Sequence, residues 1–385
     1  MRNIMGERYK IIYFVTEDWY FWLHRMPIAK AALKEGYDVI VATAVAEHGE
    51  KIKSEGLRLA PLGLNRSGKN PLREFASLLE ITRLYRKEKP DIAHHVALKP
   101  VIYGAVAAVL SKTPLTVNAL AGLGHVFIAK GFKAALVRFF IKAALRFSLR
   151  RKSAITIFEN PDDLNLLVKM GLLDERQAVL IKGTGVDTSL FAPPEQELPS
   201  DEAPVVLLSS RMLMTKGIGD FVEAARILKK RQTNVRMVLA GSPDPHNPMS
   251  IPLSRLEEWD KEGAVEYWGF KEDMAELLKQ VSIVVLPSFY GEGVPRSLME
   301  AASAERPVVT YDVPGCREII RHNVNGLLVP LRDIEALADA IAVLLEDGEL
   351  RKKMGAEGRR IVEEEFSEEI VVEKTMNLYE RAMEK

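Results

Sequence analysis

The sequence predicts an α/β protein built from two doubly wound, Rossmann-like domains. Three observations carry this reading. Strand-length apolar runs alternate with amphipathic stretches of helix length in both halves of the chain, the pattern of parallel sheets with helices on both faces. A segment with four prolines and little periodicity, Thr188–Pro204, breaks the pattern midway and reads as a linker. The alternation then restarts at Val205. The expected domains are residues 1–188 and 189–367, facing across a cleft that is the default ligand site.

In order, Tyr9–Val15 (YKIIYFV) is β-rich, and RMPIAKAALKEG reads as a helix ended by Gly36. Asp38–Thr43, Asp91–His94, Leu115–Asn118, Ala154–Phe158 and Ala178–Ile181 are further strand candidates. Helical patterns cover Pro71–Glu88, Pro100–Leu110, Phe132–Arg150 and Pro161–Met170. The second half gives strands at Val205–Ser209, Val235–Ala240, Ala264–Trp268, Val281–Leu286 and Pro307–Thr310. Its helices are Ile218–Lys230, Ile334–Leu345 and Glu349–Glu365. The closing segment, residues 368–385, reads as a helix over Glu368–Met383 that can pack on either domain; packing back on the first is the placement we expect.

The 385 residues are 47% hydrophobic and 28% charged, ordinary for a soluble globular chain. The single cysteine, Cys316, excludes an intrachain disulfide and a Cys-rich zinc site, and fits a reducing compartment. The opening MRNIMGERYKIIYFV has an early acid, Glu7, and only a short apolar run, so no signal peptide is expected. No uncharged apolar run approaches the ~18 residues of a membrane span.

Net charge is zero, which argues against a nucleic-acid partner. The zero conceals an asymmetry. Ile92–Phe158 holds ten Lys and Arg in 67 residues without one Asp or Glu, where the chain average gives about nine acids. Such segregation marks a surface for an anionic partner. Within it, Arg138, Lys142, Arg146 and Arg150 fall four apart on one helix stripe. Phe132, Ala135, Leu136, Phe139, Phe140, Ala143 and Phe147 follow helical spacing on another face. The expectation is salt-sensitive binding to an anionic membrane surface; a helix with its apolar face packed on the sheet is the competing one.

The most informative segment is Pro287–Ala301, PSFYGEGVPRSLMEA, directly after the apolar run VSIVVL. In an open parallel sheet, ligands sit at the carboxyl ends of strands. Gly291 and Gly293 permit close backbone approach. A helix beginning near Pro295 offers free amides to an anion. Glu292 and Glu300 are spaced E-x7-E, one at the mouth and one deeper in the helix. In LLSSRMLMTKGIG (Leu207–Gly219), Arg211 and Lys216 lie between a strand and a helix. A forked and a compact cation there suit a diphosphate.

These segments resemble the retaining glycosyltransferases of family 4, which have the GT-B fold. The resemblance extends over nearly the whole chain: GTGVD at Gly183–Asp187, Arg211 with Lys216, Gly269 after a strand, E-x7-E, DVPGCREII and NGLLVP. HRMPIAKAA, HHVALKP, GLGHVF, NPDD and GVPRSLMEA are similar to a bacterial subgroup that builds polyprenyl-diphosphate-linked glycans.

The resemblance implies sugar transfer from a UDP-sugar to a polyprenyl-diphosphate-linked saccharide, with retention. It implies Arg211 and Lys216 on the donor diphosphate, Glu300 on the ribose hydroxyls and Glu292 on a sugar hydroxyl. Gly293 and Val294 amides would face sugar or phosphate, and backbone at Gly269–Phe270 the base. On the acceptor or lipid-phosphate side the candidates are His125, Lys99, Arg25 and, from the cationic stripe, Arg138, Lys142 and Arg146. The first βα segment, TEDWYFW, lacks the paired glycines of many relatives, and Asn118–Ala119 stands where a sugar-side histidine is frequent. No cofactor and no metal are expected: there is no D-x-D, H-x3-H or HExxH. His94–His95 point to opposite faces of a strand, so packed or solvated histidines are expected there. The implied location is cytoplasmic, peripheral on the inner face of the cell membrane. Rival readings are a family 4 transferase for a non-lipid acceptor, a nucleotide-sugar 2-epimerase and a non-catalytic membrane-associated scaffold.

Overall fold

The structure, a computed structural model, describes residues 8–64, 70–120, 122, 132–195, 202–245, 247–289 and 291–384, with side chains in the helix at Phe132 described from Val137 onward. The chain divides into two compact units. One runs to Thr184 and takes back the chain from Glu369; the other is Gly185–Glu368.

The first unit contains β1 (Lys10–Glu17), α1 (Asp18–His24), α2 (Met26–Lys34), β2 (Asp38–Ala44), α3 (Gly49–Ser54), β3 (Arg58–Pro61) and α4 (Pro71–Glu88). It continues with β4 (Ile92–Val96), α5 (Leu98–Ser111), β5 (Leu115–Leu120), α6 (Phe132–Leu149), β6 (Ala154–Phe158), α7 (Pro161–Lys169) and β7 (Ala178–Leu180). Its sheet has the order β3-β2-β1-β4-β5-β6-β7, and the pairs are parallel. Ile11 to Val15 are all buried, because helices cover both faces of such a sheet.

The second unit contains β8 (Val205–Ser209), α8 (Ile218–Lys230), β9 (Arg236–Ala240), α9 (Leu253–Lys261), β10 (Glu266–Tyr267), α10 (Met274–Lys279), β11 (Ile283–Leu286) and α11 (Arg296–Ser303). Then come β12 (Val308–Tyr311), α12 (Cys316–Ile319), β13 (Gly326–Val329), α13 (Ile334–Glu346) and α14 (Gly348–Glu365), and the closing helix, α15 (Glu368–Met383), belongs to the first unit from Glu369 onward. The sheet order is β10-β9-β8-β11-β12-β13, again parallel. The order reverses between β8 and β11, where a doubly wound sheet opens a crevice.

Helix α15 buries Val371, Met376 and Tyr379 in the first unit's core with Ile11 and Tyr13. His94 Nδ1 stands 2.5 Å from the Tyr379 hydroxyl, which is 3.1 Å from that of Tyr13. His95 faces the other side, bonded to Asn118 Oδ1 at 2.9 Å and to the Tyr85 hydroxyl at 3.1 Å. Both rings are buried, and burial pushes His95 down to about 4 and His94 well below its ordinary value. The pair is therefore neutral core structure.

Several elements depart from the sequence expectation. Within TEDWYFW, Thr16 and Glu17 end β1 and Asp18–Trp22 open helix α1, whose start is tied to the loop after β2 because the buried Asp18 carboxylate accepts N–H groups from Trp19, Ala46 and His48. Short α3, β3 and β13 had no strong periodic signal. In α6 the face against the domain is Leu145, Ser148 and Leu149, whereas Phe139, Phe140 and Phe147 are exposed by 66%, 63% and 49%. The described phenylalanines of the aromatic face are thus not packed on the sheet.

Candidate active site

The charged candidates of the second unit lie on the segments that follow the adjacent strands β8 and β11. Arg211 and Lys216 follow β8, Glu292 follows β11, and Glu300 lies in α11. Two hydrogen bonds to one backbone carbonyl fix the first loop against the second. The Thr215 carbonyl accepts from the Ser288 hydroxyl and the Phe289 N–H, each at 3.2 Å. Gly217 turns the chain into α8 at φ +75°, where a Cβ would lie 2.0 Å from the Pro287 carbonyl oxygen. Only glycine permits that approach.

Lys216 Nζ lies 2.5 Å from Glu292 Oε2, and the Ser288 hydroxyl donates to Glu292 Oε1 at 2.5 Å. Arg211 pairs with Asp244 Oδ2 at 2.8 Å. Asp244 stands in the loop after β9, held by its own N–H to the Ser250 hydroxyl at 2.9 Å. Glu300 accepts from Arg296 Nε at 2.7 Å across one turn of α11. Burial pushes the Glu300 carboxyl above its usual range, while Arg296 opposes the shift. A largely buried carboxylate beside a helix's first turn, its side chain 13% exposed, is a fitting acceptor for ligand hydroxyls.

A third loop supports this edge. Gly315, before α12, has φ +83°, and a Cβ there would meet the Gly293 carbonyl oxygen at 1.7 Å. The Val294 side chain anchors the same stretch in the hydrophobic core. At Gly291, by contrast, a Cβ would have nothing within 4 Å, so that glycine is not needed for local space. Gly269 (φ +66°) follows β10 and accepts the Gly241 N–H at 2.8 Å, while the Phe270 side chain is 67% exposed.

The first-unit candidates are dispersed. Arg25 is not on the surface: it is 4% exposed and lies 3.9 Å from Glu159. Lys99 is held by Glu74 at 2.8 Å, and the Tyr103 hydroxyl also donates to Glu74. Arg138 and Lys142 are half-buried on α6, and Arg146 is exposed and donates to the Gly171 carbonyl. His125 lies outside the described residues. Among the described residues, no three His, Cys, Asp or Glu side chains group in a metal-holding arrangement.

Asp244, Ser288, Arg296, Thr215 and Gly315 were not singled out from the sequence. The DVPG turn carried a signal for Gly315; the others are ordinary loop and helix residues until the strands bring them together.

Residues 193–361 match the model of glycosyl transferases group 1, and residues 10–160 that of glycosyl transferase 4-like domains. The chain is 31% identical over 369 residues to N,N'-diacetylbacillosaminyl-diphospho-undecaprenol alpha-1,3-N-acetylgalactosaminyltransferase of Campylobacter jejuni, covering 93% of this chain and 95% of the relative. The chain belongs to the family 4 glycosyltransferases.

A second relative is the Escherichia coli UDP-Gal:alpha-D-GlcNAc-diphosphoundecaprenol alpha-1,3-galactosyltransferase, 24% identical, with 72% of each chain covered. Solved structures establish the GT-B fold of this glycosyltransferase. A Rickettsia africae glycosyltransferase superposes with a TM-score of 0.78 at 19% identity, over 98% of this chain and 99% of the other. Anabaena Alr3699/HepE in complex with UDP and glucose gives 0.77 at 18%, over 97% and 100%.

Proposed function

We propose that this glycosyltransferase moves a hexose or N-acetylhexosamine from a UDP-sugar to a polyprenyl-diphosphate-linked saccharide, with retention and without a metal ion. The observation that carries the reading is the position of Arg211, Lys216, Glu292 and Glu300 on the segments that follow the adjacent strands β8 and β11, with Lys216 and Glu292 in contact. Support for the acceptor comes from the Campylobacter and Escherichia relatives, whose names specify undecaprenol-diphosphate-linked substrates.

In this reading Arg211 and Lys216 stabilise charge developing on the leaving diphosphate, the role a divalent cation plays elsewhere. Glu300 accepts the ribose hydroxyls and Glu292 a sugar hydroxyl. Gly293 and Val294 amides face the sugar or β-phosphate, and Gly269–Phe270 backbone faces the base. Holding the acceptor hydroxyl beside the leaving phosphate oxygen supplies the remaining acceleration by proximity.

The same reading places the enzyme peripherally on the cytoplasmic face of the cell membrane. No helix among the described residues is long and apolar enough to cross a bilayer. Exposed Phe139, Phe140 and Phe147 beside Arg138, Lys142 and Arg146 would instead rest on an anionic leaflet. The test is transfer from UDP-N-acetylgalactosamine, UDP-N-acetylglucosamine, UDP-galactose or UDP-glucose to an undecaprenyl-diphosphate-linked saccharide, with product anomer read by NMR and parallel reactions in EDTA. Turnover that survives EDTA and keeps the α-anomer supports the reading. Failure of all four donors, or dependence on added Mg²⁺, overturns it.

A further inference from the structure

Glu292 does more in this arrangement than wait for a sugar hydroxyl. Its carboxylate shares one ammonium nitrogen with whatever anion Lys216 binds. Oε2 is 2.5 Å from Lys216 Nζ, and a phosphate oxygen on the same nitrogen would stand at about 2.8 Å. Two oxygens bound to one nitrogen at those lengths are at most about 5 Å apart. At that range two anions repel, and the side chains of Lys216 and Glu292 are only 18% and 19% exposed, so water screens them poorly. The carboxylate also has a second anchor. Ser288, 1% exposed, donates to Oε1 at 2.5 Å and is itself fixed near the Thr215 carbonyl. Glu292 is therefore held beside the phosphate position.

We propose that Glu292 is a specificity residue that selects the sugar-bearing nucleotide against the bare nucleoside diphosphate left after transfer. This rests on the donor site described above. Both nucleotides bring phosphate charge to Lys216 and meet the Glu292 carboxylate. Only the nucleotide sugar brings hydroxyl donors that bond this carboxylate and offset the repulsion. The nucleoside diphosphate leaves a half-buried carboxylate sharing its cation with a second anion and gaining no new donor, which is unfavourable. The same group that reads the sugar thus weakens retention of the product.

The test is calorimetric titration of UDP, and separately of UDP-N-acetylglucosamine, into wild type, Glu292→Gln and Glu292→Asp. Gln keeps the shape and removes the charge; Asp keeps the charge and withdraws it by one methylene. The expected result is UDP bound about tenfold more tightly by Glu292→Gln than by wild type. The ratio of nucleotide-sugar to UDP affinity should fall in the same variant, and Glu292→Asp should stay near wild type for UDP. Unfolding midpoints of the free variants establish that each is folded. UDP affinity that is unchanged or weaker in folded Glu292→Gln overturns the inference while leaving the donor site intact. Absence of UDP binding to wild type overturns the functional reading, and the inference with it.

Discussion

Gly315→Ala is a sharp perturbation of the candidate site, although residue 315 belongs to neither of its charged loops. The backbone there has φ +83° and ψ −51°, the rare γ-turn region, which costs an L-residue about 1–3 kcal/mol. The added Cβ would stand 1.7 Å from the Gly293 carbonyl oxygen and 2.8 Å from that of Glu292. Both are backbone atoms, so no rotamer relieves the contact and the loop itself must move. Overpacking of this kind adds about 1–3 kcal/mol. The combined penalty of about 2–6 kcal/mol lowers Tm by roughly 5–20 °C for a unit of this size. The function should fall further than the stability. A loop displaced by about 1 Å moves Glu292 and the Gly293 amide relative to Lys216, and misplacement on that scale costs about 10²-fold in rate. Scanning fluorimetry, with UDP binding and sugar transfer below the variant's Tm, reads both effects. Gly219→Ala is the control, since a Cβ there meets nothing within 4 Å. Wild-type Tm and transfer rate in Gly315→Ala would refute the claim that this glycine positions the donor loop.

Arg211→Ala and Lys216→Ala should each lower kcat/KM by roughly 10²-fold or more, the scale of losing one charge contact to the transition state; wild-type turnover in both would remove the diphosphate site. Replacing Phe139 and Phe140 by Ser should abolish sedimentation with anionic liposomes and raise the solubility of the folded chain, and undiminished binding would exclude α6 as the contact. Reversing Arg138 and Lys142 to Glu should give the same loss while UDP affinity stays constant in calorimetry. Burial raises the Glu300 carboxyl above its ordinary 4.5, so its protonated form favours the folded state at low pH and that contribution is lost as pH rises through the raised value. Glu300→Gln should therefore gain stability relative to wild type in urea unfolding as pH rises from the ordinary 4.5 through the raised value; a difference independent of pH would show that burial does not disfavour the charged carboxylate.

The sequence by itself determined the α/β class and most element positions, whereas the two units divide at Thr184/Gly185 rather than within the proline-rich segment after Thr188. Strands buried on both faces must be continuously apolar, so VVLLS and IVVL announce themselves, and α4 and α8 occupy the helical stretches read from spacing. It also determined which charges to watch: E-x7-E and the Arg211–Lys216 pair lie on short, ordered stretches whose spacing is local. Tertiary structure alone decided their partners. Asp244 reaches Arg211 across 33 positions and Lys216 reaches Glu292 across 76, and no local pattern encodes a contact made when β8, β9 and β11 align. The same holds for α1, where Asp18 collects amides from residues 28 and 30 positions away. It holds for α6 as well, since helical spacing defines an aromatic face but only the neighbouring elements determine which face they cover. Local spacing fixes periodicity and backbone preference; pairing, burial and counter-ions arise from long-range packing, which one-dimensional order does not contain.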